Sequence, residues 1–167
     1  LTPHVAEIRD EIRALCRLKF APDELAYLRG WRFFKSDFVD LLGLFQLDGR
    51  FIHVERIAGS DREIDITIRG PWLHTILFEV PVLAIVSEVY DRNTHPGADL
   101  TEGRRRLKAK VERINAVADP EFRIADYGTR RRFSRAWHEE VLRTLAAGIG
   151  PKFVGTSNVK FAHEQGL

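Results

Sequence analysis

Apolar positions along the first half of the chain recur mostly at helical spacing. Thr2 and Pro3 read as an N-cap and a first helical proline, and Val5, Ile8, Ile12, Leu15 and Cys16 then form one stripe. A short helix is predicted over Pro22 to Leu28. Another is predicted from Ser36, with Phe38, Leu41, Leu42 and Phe45 on its apolar face. The period then changes. Between Glu63 and Arg69, Ile64, Ile66 and Ile68 alternate with Asp65, Thr67 and Arg69, so this run and Phe51 to Ile57 predict a hairpin turning at Ala58-Gly59-Ser60-Asp61. Gly70-Pro71 ends it and opens a long helix through Trp72, Ile76, Leu77, Val80, Leu83 and Val86, which Pro81 should kink or divide. Asn93 to Gly97 reads as a loop. Leu100, Leu107, Val111 and Ile114 mark a further helix that ends before Asp119-Pro120.

Beyond that boundary the pattern becomes strand, glycine, helix, strand, glycine, helix. Ile124-Ala125-Asp126-Tyr127 breaks at Gly128, and Phe153-Val154 breaks at Gly155. Between them lies a helix with Ser134 as N-cap, Trp137, Val141, Leu142 and Leu145 inward, and Gly148 as terminator. The spacing of the glycines suits a parallel strand–helix–strand unit. In such units the loops after the strands carry the chemistry. Here those loops hold Arg130, Arg131 and Arg132, and Gly155-Thr156-Ser157-Asn158 ahead of a helix. Guanidinium forks and the free N–H groups of a helix start both suit phosphate oxygens, so a phosphorylated small molecule is the expected substrate.

Composition narrows the field. At 19.2 kDa, with 44% hydrophobic and 30% charged residues, the chain reads as globular and not as disordered. A net charge of +2 does not call for nucleic acid. The Arg104-to-Arg113 helix is basic without interleaved aromatics, so a solvated face is expected over a polyanion interface. Cys16 is the single cysteine, which excludes an intrachain disulfide, and it is expected to be small and buried. No signal peptide is evident, and the unbroken apolar run Val80 to Val86 is short for a membrane span, so no membrane partner and a cytoplasmic location are expected. The histidines show no metal-binding spacing, and His138, beside Glu139 and Glu140, is expected at the surface. There is no methionine and the first residue is Leu1, so the chain is expected to be a fragment of a longer one or an edited sequence.

Asp126 to Ser134 (Asp-Tyr-Gly-Thr-Arg-Arg-Arg-Phe-Ser) and Phe153 to Asn158 (Phe-Val-Gly-Thr-Ser-Asn) closely resemble two signature segments of the bacterial nicotinate phosphoribosyltransferases. Weaker matches precede them in the same order at Phe33 to Phe38, at Gly70-Pro71-Trp72 and at Phe78 to Glu88. The resemblance implies an α+β N-terminal domain over residues 1–119. From 120 to 167 it implies the opening β/α units of an irregular parallel β/α barrel, like other type II phosphoribosyltransferases. It also implies transfer of a phosphoribosyl group from phosphoribosyl pyrophosphate to nicotinate in NAD biosynthesis, coupled to ATP hydrolysis, with Mg2+ and a homodimer.

For the residues, the resemblance implies that Tyr127 stacks on the pyridine, although the same position could simply cap a core. Arg130 and then Arg131 would meet phosphates, with Arg132 left to packing or a salt bridge. Thr156 and Ser157 would face the substrate carboxylate, against the alternative of an ordinary helix cap. Nicotinamide-using relatives carry aspartate at the Ser157 position, so a neutral hydroxyl there favours the acid. The coupling phosphohistidine lies in a Gly-Thr-x-Ala-His motif expected beyond Leu167. His163 does not inherit that role, and this stretch alone is expected to be inactive. The competing readings are another pyridine phosphoribosyltransferase, using nicotinamide or quinolinate, and a non-catalytic polyanion-binding module.

Overall fold

The structure, a computed structural model, describes residues 1–60 and 63–167. It forms two compact units, Leu1–Tyr90 and Asp91–Leu167. In the first, α1 (Val5–Leu15) buries Val5, Ile8 and Ile12, as the stripe predicts. Thr2 is no cap: it lies in a 3-10 turn, Thr2–His4, and its hydroxyl donates to the Glu63 carbonyl. Cys16 is half-buried at the C-cap of α1 and not enclosed in the core.

Two helices follow, α2 (Pro22–Arg29) and α3 (Ser36–Leu44). They share a small cluster of Leu28, Val39 and Leu42. The predicted face of α3 is therefore displaced. Val39 points inward, while Phe38 and Leu41 are 38% and 39% exposed. Only a narrow strip of α3 meets α2, and Val39 with Leu42, one turn apart, fills it.

The hairpin forms as the alternation predicts. Strands β1 (Ile52–Arg56) and β2 (Ile64–Ile68) pair antiparallel with Ile52 opposite Ile68 and Val54 opposite Ile66. The end of its expected turn, Asp61, lies outside the described residues.

The long apolar helix is divided into α4 (Trp72–Ile76) and α5 (Glu79–Thr94), and α5 takes in the first two residues of the expected Asn93–Gly97 loop. Pro81 has no N–H for the carbonyl one turn back, at Leu77, and its ring crowds that carbonyl, so the helix parts there. By length and composition Trp72–Thr94 is apolar enough to cross a membrane, which the unbroken run Val80 to Val86 hides. Here its Phe78, Val82 and Val89 join α1 and β1 in the main core of this unit.

The second unit holds α6 (Thr101–Asn115), β3 (Ile124–Asp126), α7 (Arg135–Ile149), β4 (Phe153–Thr156) and α8 (Val159–Gln165). Its extent differs from the boundary expected at residue 119, because α6 packs on α7. A Cβ on Gly103 would stand 3.0 Å from the Trp137 ring, and one on Gly148 2.8 Å from Val111. Gly148 is thus a close-packing residue. The helix continues to Ile149 and ends at Gly150, whose φ is +51°. Lys152 ties the end of α6 down, donating from Nζ to the carbonyls of Ile114 (3.0 Å) and Val117 (2.7 Å). Strands β3 and β4 pair in parallel, which is the strand–helix–strand unit expected from the glycine spacing.

The fully buried Phe78 should be the costliest single truncation in the first unit. Phe78→Ala is expected to lower stability by about 3–5 kcal/mol. Truncating Leu44, which is 88% exposed, should stay within about 0.5 kcal/mol. Denaturant titration of both variants measures this, and equal losses would mean that Phe78 does not lie in the core.

Candidate active site

The register of β3 on β4 decides how the two loops meet. Ile124 lies opposite Phe153, but Asp126 lies opposite Thr156, so β4 carries one more residue than β3 over the same span. This bulge falls at Gly155, whose φ of +119° is a conformation that side-chain-bearing residues rarely adopt. The extra residue shifts the alternation by one position and sets Thr156 beside Asp126. The Ser157 N–H then donates to the Asp126 carbonyl at 2.8 Å, so the loop after β4 starts against the end of β3.

The Asp126 carboxylate gathers the rest. Its Oδ1 accepts from the Gly128 N–H at 3.0 Å. Its Oδ2 accepts from Thr156 Oγ1 at 2.7 Å and from His138 Nε2 at 2.8 Å. Burial pushes this carboxyl's pKa up, but the hydrogen bonds from His138 and Thr156, electrostatic attraction by the His138 ring and the Gly128 N–H outweigh it and hold it below the usual value. A side chain on Gly128 would collide with the network, its Cβ 2.9 Å from Asp126 Oδ1.

His138 is only 4% exposed, against the expectation that its charged neighbours keep it at the surface. Helical phase overrides that composition: His138 lies one turn before Leu142, which is 0% exposed. Its ring meets Phe161 of α8 edge-on, with centroids 5.2 Å apart. The same phase count along α7 was the available signal for His138, and Asp126 was hidden inside the strand pattern.

Around this anchor lie the residues singled out from sequence. Tyr127 is 79% exposed, so it does not cap a core within the described chain. Arg130 and Arg131 are exposed in the 3-10 turn Gly128–Arg131, while Arg132 is half-buried. Ser157 is exposed. Thr156 is different. Its hydroxyl donates to Asp126 and accepts from the Asn158 N–H at 3.1 Å, which leaves it one lone pair for any ligand. The helix cap is Asn158: its Oδ1 accepts from the Phe161 N–H at 3.1 Å. Its Nδ2 donates to Thr129 Oγ1 at 3.0 Å, a second bridge between the loops. The structure thus brings the two predicted loops together at the carboxyl ends of paired strands.

Among the described residues, no three His, Cys, Asp or Glu side chains converge as a metal site. The basic helix α6 is laced with ion pairs, Arg104 to Glu140 and both Arg105 and Arg106 to Glu102.

Replacing the anchor should show its charge in the pH dependence of stability. Asp126→Asn is expected to cost about 2–4 kcal/mol at neutral pH, because donors that meet a buried carboxylate would face an amide. The carboxyl's folded pKa is lowered, so its contribution is present above about pH 4, the range of a free carboxyl, and is lost as pH falls through the lowered value. The gap between variant and parent should therefore close in acid. Denaturation across a pH series measures it, and a gap independent of pH would show that the charge is not what holds the loops.

Comparison with known proteins agrees with the geometry. The family model described as the nicotinate phosphoribosyltransferase N-terminal domain matches residues 1–87, and the nicotinate phosphoribosyltransferase family model matches residues 122–167. The nicotinate phosphoribosyltransferases of Acidovorax sp. strain JS42 and of Verminephrobacter eiseniae are 59% identical to it, over 100% of this chain and 44% of their own length. That of Burkholderia cenocepacia is also 59% identical, over 97% of this chain and 41% of its own. Crystal structures of the enzymes from Porphyromonas gingivalis and Vibrio cholerae superpose with TM-scores of 0.85 at 30% and 34% identity, covering 100% and 99% of this chain and 42% and 40% of theirs. The chain therefore spans less than half the length of the relatives it matches, and it belongs to the nicotinate phosphoribosyltransferase family.

Proposed function

We propose that this chain is part of an enzyme that joins nicotinate to phosphoribosyl pyrophosphate, giving nicotinate mononucleotide and pyrophosphate, with ATP hydrolysis coupled to the transfer. The observation that carries this reading is the pairing of the two loops. An exposed aromatic ring and two exposed arginines leave the end of β3, and an exposed serine leaves β4 hydrogen-bonded to that same end. A flat apolar ring wall, fixed cations and a neutral hydroxyl are what a pyridine acid and a pyrophosphate leaving group require.

In this reading the pyridine nitrogen attacks C1 of the ribose while pyrophosphate departs. Tyr127 holds the ring, Arg130 and then Arg131 meet the phosphates and stabilise the charge that develops on leaving, and Ser157 lies by the carboxylate. The two parallel strands are read as the opening of an irregular β/α barrel. A homodimer and the cytoplasm complete the proposal, in keeping with a chain whose one cysteine is a free thiol. Among the described residues no three His, Cys, Asp or Glu side chains converge, so Mg2+ would enter with the phosphates of the donor, which supply much of its coordination. The polyanion-binding reading is disfavoured by the ion pairs that engage Arg104, Arg105 and Arg106.

In the full-length enzyme, Arg130→Ala should impair use of phosphoribosyl pyrophosphate far more than Arg132→Ala. The expected cost is about 2–4 kcal/mol, or about 30- to 1000-fold in kcat/KM. Steady-state kinetics on both variants decide it, and equal small effects would leave the loop a structural one. Ser157→Asp would set a carboxylate near that of nicotinate and cost about 2 kcal/mol or more, whereas an amide gains a hydrogen-bond acceptor. Nicotinate efficiency should fall at least about tenfold, and the preference over nicotinamide should shrink. An unchanged ratio for the two bases would place Ser157 away from the carboxylate.

A further inference from the structure

None of the ligand contacts proposed above involves Asp126 or His138, whose side chains are 12% and 4% exposed. Their placement nevertheless couples the two loops. Asp126 immediately precedes Tyr127, and Thr156 immediately precedes Ser157. A single oxygen, Asp126 Oδ2, receives both the Thr156 hydroxyl and His138 Nε2. The other oxygen receives the Gly128 N–H inside the first loop. His138 is in turn fixed by three elements: its backbone N–H bonds the carbonyl of Ser134, the N-cap of α7, its Nε2 bonds Asp126 at the end of β3, and its ring meets Phe161 in α8 edge to face.

The other ring nitrogen is the informative one. His138 Nδ1 is buried without a hydrogen-bond partner. A buried polar atom left unpaired destabilises the fold, and an apolar side chain of similar volume would avoid that cost. A histidine retained only for packing is therefore a poor choice at this position. What it supplies that leucine or phenylalanine would not is the Nε2–H donated to Asp126. Nε2 is thus the ring nitrogen that makes a hydrogen bond, and the carboxylate receives a third one from a side chain locked by packing.

We propose that Asp126 and His138 are the positioning pair of this site, setting the spacing between the Tyr127–Arg131 turn and the Thr156–Asn158 turn. Through it they set how the nicotinate and the phosphoribosyl donor are presented to each other. The inference rests on the functional reading above for its chemical consequence, but its structural content stands separately. The pair is shielded from ligand, so it acts through Tyr127, Arg130 and Ser157. Small displacements of reacting groups are costly, and a loosened pair should degrade use of both substrates together.

The test compares His138→Leu with His138→Gln in the full-length protein. Leucine keeps the volume and removes the donor, whereas glutamine returns a neutral N–H donor at a similar reach. His138→Leu is expected to lose at least about tenfold in kcat/KM for both nicotinate and phosphoribosyl pyrophosphate, with His138→Gln within about threefold of the parent. Amide hydrogen exchange, read on the same proteins without substrate, should quicken in both turns of His138→Leu and be restored by glutamine. Should His138→Leu fail to fold, Thr156→Val replaces it: removing that hydroxyl should quicken exchange at Gly128, across in the other loop. Exchange unchanged in either turn, or no difference between leucine and glutamine, overturns the inference. A parent enzyme that makes no nicotinate mononucleotide would instead sink the functional reading, and the exchange comparison would still judge the positioning role.

Discussion

A half-buried carboxylate with three donors converging on it is the constraint around which the second unit is organised. Asp126 takes a backbone N–H from its own loop, a hydroxyl from the neighbouring strand and a ring N–H from the intervening helix. Each donor belongs to a different segment, so satisfying the charge requires all of them in register at once. A carboxylate removed from water is tolerated only when its lone pairs are met. The cost of failing to meet them makes the arrangement specific. Two loops that could otherwise move separately are held as one surface, with Tyr127, Arg130, Arg131 and Ser157 exposed on it.

Several small residues exist to let that carboxylate be reached. Gly128 allows the loop backbone to turn back within hydrogen-bonding distance, where a Cβ would strike Asp126. Gly155 adopts a backbone conformation that inserts one residue into β4 and turns the Thr156 hydroxyl toward the carboxylate. Asn158 closes the arrangement by capping α8 and bridging to Thr129. The Gly-Thr-Ser-Asn segment thus divides its labour. Its glycine shapes the strand, its threonine serves the anchor, its asparagine caps the helix, and its serine is left exposed.

The first unit is held differently, by apolar burial around α1, the hairpin and α5. The displaced face of α3 has a plain cause. Periodicity says which residues of a helix share a face, but not how wide a strip its neighbour will cover. In α3 the covered strip is narrow and includes Val39, which the predicted face omitted. In the long apolar segment, Pro81 acted one turn upstream of itself, because the carbonyl it orphans and crowds is that of Leu77.

Local rules made much of this protein legible from its residues alone. The β1–β2 alternation, the stripe of α1, the Ser134 cap and the parallel strand–helix–strand unit all follow from spacing and turn chemistry acting over a few positions. The arginines and the Gly-Thr-Ser-Asn loop could be picked out for the same reason, since their chemistry is written in adjacent residues. His138 could not be read that way. Its neighbours in sequence are charged and mask the helical phase that marks it, and the packing of α7 against β4 together with the Phe161 ring encloses it. The meeting of Asp126 with His138 and Thr156 likewise depends on a one-residue bulge and a parallel crossover, which bring together groups 12 and 30 positions apart. Sequence determined which segments become strand, helix and loop; tertiary structure decided which polar groups share a buried charge, because that pairing is a property of the register between segments and not of any one of them.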